Sequence, residues 1–433
     1  MVATVIIFAL TCVTLIASVL GFPNIKIKSK VFHTYWIVCL VGAILMLAFN
    51  CISFKEAFNG ITASSSINPL KILVIFISMT FLSVFLDEIG FFGYLAILAT
   101  KRAGAKQTTL FFTLYVIISL LTVFTSNDIV ILTFTPFICY FAKNTKIDPI
   151  PYLVAEFAAA NTWSMMLIIG NPTNIYLATF ANIGFIDYVK VMALPTLFAG
   201  IVQIAVIYLL FRKKLKVPLS TSDVKGEIKN KPLLIIGLTH LGGCLVFLTV
   251  SSYVSLEMWI ICLAFMLSLI ICCTIYLLVK KEKFTPIFNT EKRLPWDLIP
   301  FVLSMFVIVL ALQKQGVTDY IGKMLGQNNV IVNYGFTSFL ACNLINNIPM
   351  SVLFATVPNM ANALLYKQAI FSTVIGSNIG AFLTPIGALA GIMFTGLVSQ
   401  HNVKYGFLNF IKYGIIISIP TISATLLGLA IVL

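Results

Sequence analysis

Charge is scarce in this chain. Only 10% of its 433 residues are Asp, Glu, Lys or Arg, and 14 are acidic. Soluble domains carry about 25% charged residues, so a soluble globular protein is excluded. Histidine is nearly absent, with three in the chain. No H-E-x-x-H, no G-x-S-x-G and no clustered nucleophile–base set occurs, so the chain does not read as an enzyme. No G-x-x-x-x-G-K-[ST] loop is present, which excludes ATP-driven pumping by this chain alone; a separate ATPase partner would leave no mark here. The nine cysteines form no C-x-x-C pair and no Cys/His cluster. They read as small apolar residues, without disulfides and without a bound metal or other cofactor. No ring of charges or carbonyl filter is visible, which argues against a passive channel.

What is present is apolar. Hydrophobic residues make up 60% of the chain and mean hydropathy is +1.04. Runs of about 20 apolar residues, enough to cross the hydrocarbon core, recur along the whole length. The expected fold class is an all-α polytopic integral membrane protein in contact with the lipid bilayer. Residues 1–22 lack a basic n-region and read as a first transmembrane helix rather than a cleaved signal.

The net charge of +14 would suggest a nucleic-acid partner in a soluble protein. Here 22 of the 28 Lys and Arg fall in alternate loops, around positions 26–30, 101–106, 143–146, 212–231, 280–293 and 404–412. The positive-inside rule places those loops in the cytoplasm, and no nucleic-acid partner is implied.

Four polar breaks interrupt the apolar runs. Thr125-Ser126-Asn127-Asp128 and Asn343-Leu344-Ile345-Asn346-Asn347-Ile348-Pro349 are two of them. Gly170-Asn171-Pro172-Thr173-Asn174 and Gly376-Ser377-Asn378, running on to Thr384-Pro385-Ile386-Gly387, are the others. Amide-rich irregular backbone survives at membrane depth only where it lines a protein cavity. Such breaks in matched positions of two halves mark a transporter site near the bilayer midplane.

The spacing predicts a first repeat over 1–211, with a re-entrant hairpin at 109–142 and a broken helix at 151–180. A basic cytoplasmic linker follows at 212–231. A second repeat over 232–433 has a hairpin at 333–356 and a broken helix at 369–398. About ten crossings plus two hairpins result. Five crossings per half is odd, so the halves are inverted in topology. Leu86-Asp87-Glu88-Ile89-Gly90 precedes the first hairpin and Leu312-Gln313-Lys314-Gln315-Gly316 the second. Ser164 lies eight residues before Pro172, as Ser377 does before Pro385.

The candidate substrate- and ion-binding residues are Ser126, Asn127, Asp128, Gly170, Asn171, Pro172, Thr173, Asn174, Asn343, Asn346, Asn347, Ser377, Asn378, Thr384, Pro385 and Gly387. Broken helices leave backbone N–H and C=O groups free for anions or cations, and the amides and hydroxyls add uncharged ligands. Gly170, Gly376, Gly380 and Gly387 are expected to permit unusual backbone. Asp128 is the only acid at a hairpin tip and the candidate coupling residue, for Na⁺ or a proton. Glu156, Asp87, Glu88 and His240 read as structural.

These motifs resemble the ion transporter superfamily, and within it the arsenical pump membrane protein (ArsB) and NhaD family. Residues 124–136 are similar to an N-D-x-x-x-L-x-x-T-P hairpin, and residues 294–306 to a "PW…F…GM" segment. Asn346-Asn347-Ile348-Pro349 resembles an N-N-x-P tip, and residues 375–390 a "VIG…G…TPIGSLAT" run. Gly170-Asn171-Pro172-Thr173-Asn174 is closer to the G-x-P-x-N break of divalent anion/Na⁺ symporters. Their Ser-Asn-Thr signature is not intact, because Asp128 stands where Thr would. The resemblance implies an elevator-type scaffold and transport domain, commonly in a homodimer, in a prokaryotic cytoplasmic (inner) membrane. The implied function is secondary active transport of a small anion, oxyanion or metalloid, foremost proton-coupled arsenite or antimonite efflux. A Na⁺-coupled citrate, dicarboxylate or inorganic-anion symporter is the alternative, and a Na⁺/H⁺ antiporter the third reading.

Overall fold

The computed structural model describes residues 1–21, 24–27, 30–62, 68–104, 106–218, 228, 230–251, 256–358, 360 and 362–433. Half of the expected linker 212–231, namely 219–227 and 229, lies outside the described residues.

The chain begins with α1 (Val2–Gly21), a short antiparallel ribbon of β1 (Asn24–Ile27) and β2 (Lys30–His33), and α2 (Thr34–Ala48). The amphipathic α3 (Phe54–Thr62) starts in a capping box. Ser53 N–H donates to Glu56 Oε2 at 2.9 Å and Glu56 N–H donates back to Ser53 Oγ at 3.3 Å, satisfying two N-terminal donors. Lys314 Nζ reaches the same carboxylate at 2.6 Å and, with Ser53, holds it down at about 2. Next come α4 (Pro69–Glu88), α5 (Phe91–Ala103), α6 (Gln107–Phe124), α7 (Asn127–Thr145), α8 (Ile150–Trp163), α9 (Pro172–Phe180) and α10 (Phe185–Phe211).

The second half has α11 (Lys231–Ser251), α12 (Met258–Lys280), α13 (Thr285–Lys292), α14 (Leu298–Lys314), α15 (Val317–Leu325), α16 (Val330–Ile345), α17 (Asn347–Thr356), α18 (Ala363–Gly380), α19 (Leu389–Gln400) and α20 (Phe407–Val432). The fold is that of an all-helical polytopic membrane protein. Among the described residues the ribbon is its only sheet.

Six helices are long and apolar enough to cross a membrane: α4, α6, α10, α11, α12 and α20. A seventh is counted if α14 and α15, bent by 76° at their junction, form one span. The shorter apolar helices include α16 and α17, the arms of the second hairpin. The arms of the first hairpin are longer than the sequence reading of 109–142 allows, at 18 and 19 residues. Length therefore does not distinguish a re-entrant hairpin from a crossing pair there. Thr125, Ser126 and Asn127 are only 2–5% exposed, so the tip lies inside the protein rather than at a surface loop.

The order of elements repeats. A helix and a short bent partner (α4/α5, α14/α15) lead into a hairpin (α6/α7, α16/α17), then a broken helix (α8/α9, α18/α19), then one long helix (α10, α20). The matched pentapeptides end α4 and α14 in the same way. Gly90 has φ 92° and Gly316 φ 73°, the left-handed closure that glycine adopts without strain. Gly90 N–H donates to Asp87 O at 2.8 Å, and Gly316 N–H to Gln313 O at 3.0 Å.

The molecule is inside-out relative to a soluble protein. On α11 and α12 the outward side chains are apolar, as with Ile235, Phe247, Ile271 and Leu278, all more than half exposed. The polar groups collect at the centre. Every side chain of α8 from Pro151 to Thr162, and of α18 from Ala369 to Gly380, is buried. α16 lies close against α18, where a Cβ on Gly376 would sit 2.6 Å from Gly335 O and one on Gly380 2.6 Å from Phe339 O. Small residues let the two backbones touch, which is how membrane helices pack without a hydrophobic driving force.

Candidate substrate and ion site

The two broken helices meet at their breaks. α8 gives way to two 3₁₀ turns, Ser164–Met166 and Ile168–Gly170, before α9 starts at Pro172. Asn171 caps α9: its Oδ1 accepts from Thr173 N–H at 3.1 Å, and Pro172 occupies the first helical position, where no N–H is needed. Thr173 and Asn174 are thus helical rather than part of the irregular stretch. Ser377 and Asn378 likewise lie in the last turn of α18, which runs to Gly380; the non-helical segment begins only after it.

Asn378 is the centre of the cluster. Its Oδ1 accepts from Ser164 Oγ and from Asn171 Nδ2, both at 3.0 Å. Its Nδ2 donates to Asn174 Oδ1 at 2.7 Å and to Val374 O at 2.8 Å. Asn174 Nδ2 donates to Ser164 O at 2.8 Å, closing the ring, and Ser377 Oγ donates to Thr173 Oγ1 at 3.1 Å. These six side chains are at most 2% exposed. No ionisable side chain hydrogen-bonds into them among the described residues. The matched spacing of Ser164 and Ser377 is a real correspondence, since each serine bonds to the opposite broken helix.

The second hairpin tip is stitched to the second break. Asn343 Oδ1 accepts from Thr384 N–H at 3.0 Å and from Thr384 Oγ1 at 2.7 Å, while its Nδ2 donates to Phe339 O and Gly380 O. Asn346 Nδ2 donates to Ile386 O at 3.0 Å, and Asn347 N–H to Gly387 O at 2.9 Å. Asn346 has φ 70° and ψ 153°, a region almost reserved for glycine. Its Oδ1 accepts from Ile348 N–H at 3.3 Å, which helps hold that conformation. Pro385 sits in the turn between α18 and α19.

The first tip is looser. Asn127 Nδ2 donates to Asn161 Oδ1 at 3.2 Å, and this side-chain bond is the one it makes among the described residues. The buried Asn127 Oδ1 and Ser126 Oγ have no partner. Asp128, in the first turn of α7, is half-buried and makes no ion pair or hydrogen bond among the described residues.

Two expectations are corrected here. Gly170, Gly376, Gly380 and Gly387 do not carry left-handed backbone, since none has positive φ. Their role is close approach: a Cβ on Gly387 would lie 2.8 Å from both Asn343 Oδ1 and Gly380 O, and one on Gly170 would collide with Ser164 O. Asn161 and Ser164 belong to the constellation, although the sequence reading did not place them among the site residues. Both are polar positions within a run of buried apolar ones, a signal that was available.

Two of the acids read as structural, Asp87 and Glu88, are paired. Arg293 on α13 bridges Asp87 and Glu88 at the end of α4, with Nη1 3.3 Å from Glu88 Oε2, and Asn289 Nδ2 donates to Glu88 Oε1 at 2.9 Å. His240 bonds its own helix at Ile236 O, 2.7 Å away, and Ser268 Oγ of α12.

The model of the CitMHS family, described as citrate transporter, matches residues 27–372. An arsenical pump membrane protein of Escherichia coli is 26% identical over 373 residues, covering 82% of this chain and 85% of the relative. One from Yersinia enterocolitica is 27% identical over 376 residues, with the same coverage. An uncharacterized transporter of Synechocystis is 22% identical over 409 residues, 88% of each chain. The crystal structure of the Alcanivorax borkumensis YdaH transporter superposes with a TM-score of 0.56 at 14% identity, covering 99% of this chain and 98% of that one, which shows a shared fold. The chain belongs to the CitMHS citrate-transporter family of the ion transporter superfamily and is a secondary transporter of the CitMHS and arsenical-pump type.

Proposed function

We propose that the protein exports a small trihydroxylated metalloid acid, arsenite or antimonite, in exchange for protons. The observation that carries this reading is the uncharged cluster of Ser164, Asn171, Thr173, Asn174, Ser377 and Asn378. Arsenite and antimonite are neutral hydroxy acids near pH 7, and amides and hydroxyls match them hydrogen bond for hydrogen bond. A tricarboxylate would bring charges that this cluster does not neutralise, and burying them unpaired costs several kcal/mol each. The similarity to arsenical pump membrane proteins supports the same choice.

In this conformation the cluster is closed on itself, each amide serving another. Substrate replaces those bonds when the two broken helices separate. Asp128, unpartnered at the first tip, exchanges the coupling proton. The halves act as inverted repeats, and the hairpin-and-broken-helix unit moves against the remaining helices as an elevator within a homodimer.

A second reading is a Na⁺-coupled carboxylate symporter. It is favoured by the citrate-transporter family model and by the unpaired Asn127 Oδ1 and Ser126 Oγ, acceptors suited to a small cation. Flux in proteoliposomes separates the two. Asp128→Asn and Asn347→Ala are expected to abolish proton-driven arsenite flux while the protein still inserts. Wild-type flux in both variants would remove the site assignment.

A further inference from the structure

Among the described residues Glu156 is the most deeply buried acid, 0% exposed in the middle of α8. Its two carboxyl oxygens lie 2.9 and 3.0 Å from one atom, Thr135 Oγ1 on α7, itself fully buried. A threonine hydroxyl has a single hydrogen, so it supplies the two oxygens with at most one hydrogen bond, shared between them. A protonated carboxyl adds a second bond by donating its own hydrogen to Oγ1. No Lys, Arg or His pairs with Glu156 among the described residues. On α7, the thiol of Cys139 lies within electrostatic range of the same carboxyl. α18 presents no ionisable side chain from Ala369 to Gly380. On α6 and α10, Tyr115 and Tyr188 direct their hydroxyls elsewhere, to Gly200 O and Met165 O. An ionised carboxylate in that setting would be an isolated buried charge, which proteins avoid.

We infer that Glu156 is a second proton-binding site of the carrier, neutral in this conformation and exchanging its proton with water in another. Its placement fits: the same α8 carries Asn161 to the first hairpin tip and leads into Ser164, which bonds Asn378, and Thr135 is on the hairpin arm whose first turn holds Asp128. Separation of α7 from α8 would open Glu156 and the tip together. The inference deepens the proton-exchange reading above, yet its first test needs no substrate.

Infrared spectra of the full chain in liposomes at pH 7 should show a protonated carboxyl C=O band that Glu156→Gln removes and that shifts on transfer to D₂O. Thr135→Val should move the band to higher frequency without removing it, which identifies the acid even if the glutamine variant folds poorly. No difference band, or one that D₂O never shifts, overturns the inference. In proteoliposomes the glutamine variant should move fewer protons per arsenite, and an unchanged ratio also overturns it. If the wild type carries no arsenite, the substrate reading fails and the infrared arm alone judges Glu156.

Discussion

Asn378 and Asn174, 204 positions apart, share a 2.7 Å hydrogen bond from Nδ2 of the first to Oδ1 of the second. This bond joins the last turn of α18 to the first turn of α9. It ties one broken helix to the other beside the irregular stretch of each.

Asn378→Ala should therefore do more than remove one contact. Ser164, Asn171 and Asn174 would each lose a partner in a water-free interior. Interhelical hydrogen bonds in membranes average about 0.6 kcal/mol, whereas a stranded buried polar group costs about 1–3 kcal/mol. The second effect dominates, and a loss of about 2–3 kcal/mol is expected. Unfolding in detergent by denaturant titration would measure it, with transport lost in parallel.

Asp128 makes a contrasting case. No partner is stranded by its neutralisation, so Asp128→Asn should change stability by less than about 0.5 kcal/mol, as substitutions away from packed or paired groups do. Proton-driven flux should nevertheless fall to background. A thermal-unfolding midpoint near wild type with no flux is the expected pair of readings.

Gly376→Ala tests the close packing of α16 on α18. The new Cβ would lie 2.6 Å from Gly335 O and collide with Ser338 Oγ, and the backbone oxygen cannot swing aside. Overpacking of this kind costs about 1–3 kcal/mol. Cysteine crosslinking between α16 and α18, efficient in the wild-type background, should weaken in the variant.

Arg293→Ala should strand Asp87, which is 10% exposed, and take the cation from Glu88, which is 17% exposed and keeps its bond from Asn289 Nδ2. Breaking a fully buried ion pair costs about 3–5 kcal/mol. Arg293 is itself 34% exposed, so solvent screening reduces the expected loss to about 1–2 kcal/mol. The Asp87→Asn/Glu88→Gln/Arg293→Ala triple variant should recover much of it.

The helical architecture was legible in the sequence because apolar runs and polar breaks are both strong signals at low charge. The hairpin expected at 333–356 is α16 and α17, Val330 to Thr356, and the broken helix expected at 151–180 runs from Ile150 to Phe180. Three things were hidden. Ser377 and Asn378 read as a break because Gly376 precedes them, yet α18 continues to Gly380, since those glycines face α16 rather than bend the chain. Asn161 and Ser164 stood out as polar positions in an apolar run, but their partners were hidden because they lie far along the sequence or in another element. Glu156 read as structural, and only the three-dimensional packing places it in the interior with a single hydroxyl for company.

The most direct test of the account is arsenite accumulation by proteoliposomes holding the purified full chain, with the lumen acidified and Na⁺ absent. The account predicts uptake that follows the proton gradient, collapses with a protonophore and is absent from Asp128→Asn. Uptake of citrate that requires Na⁺, with no arsenite movement under a proton gradient, would contradict it.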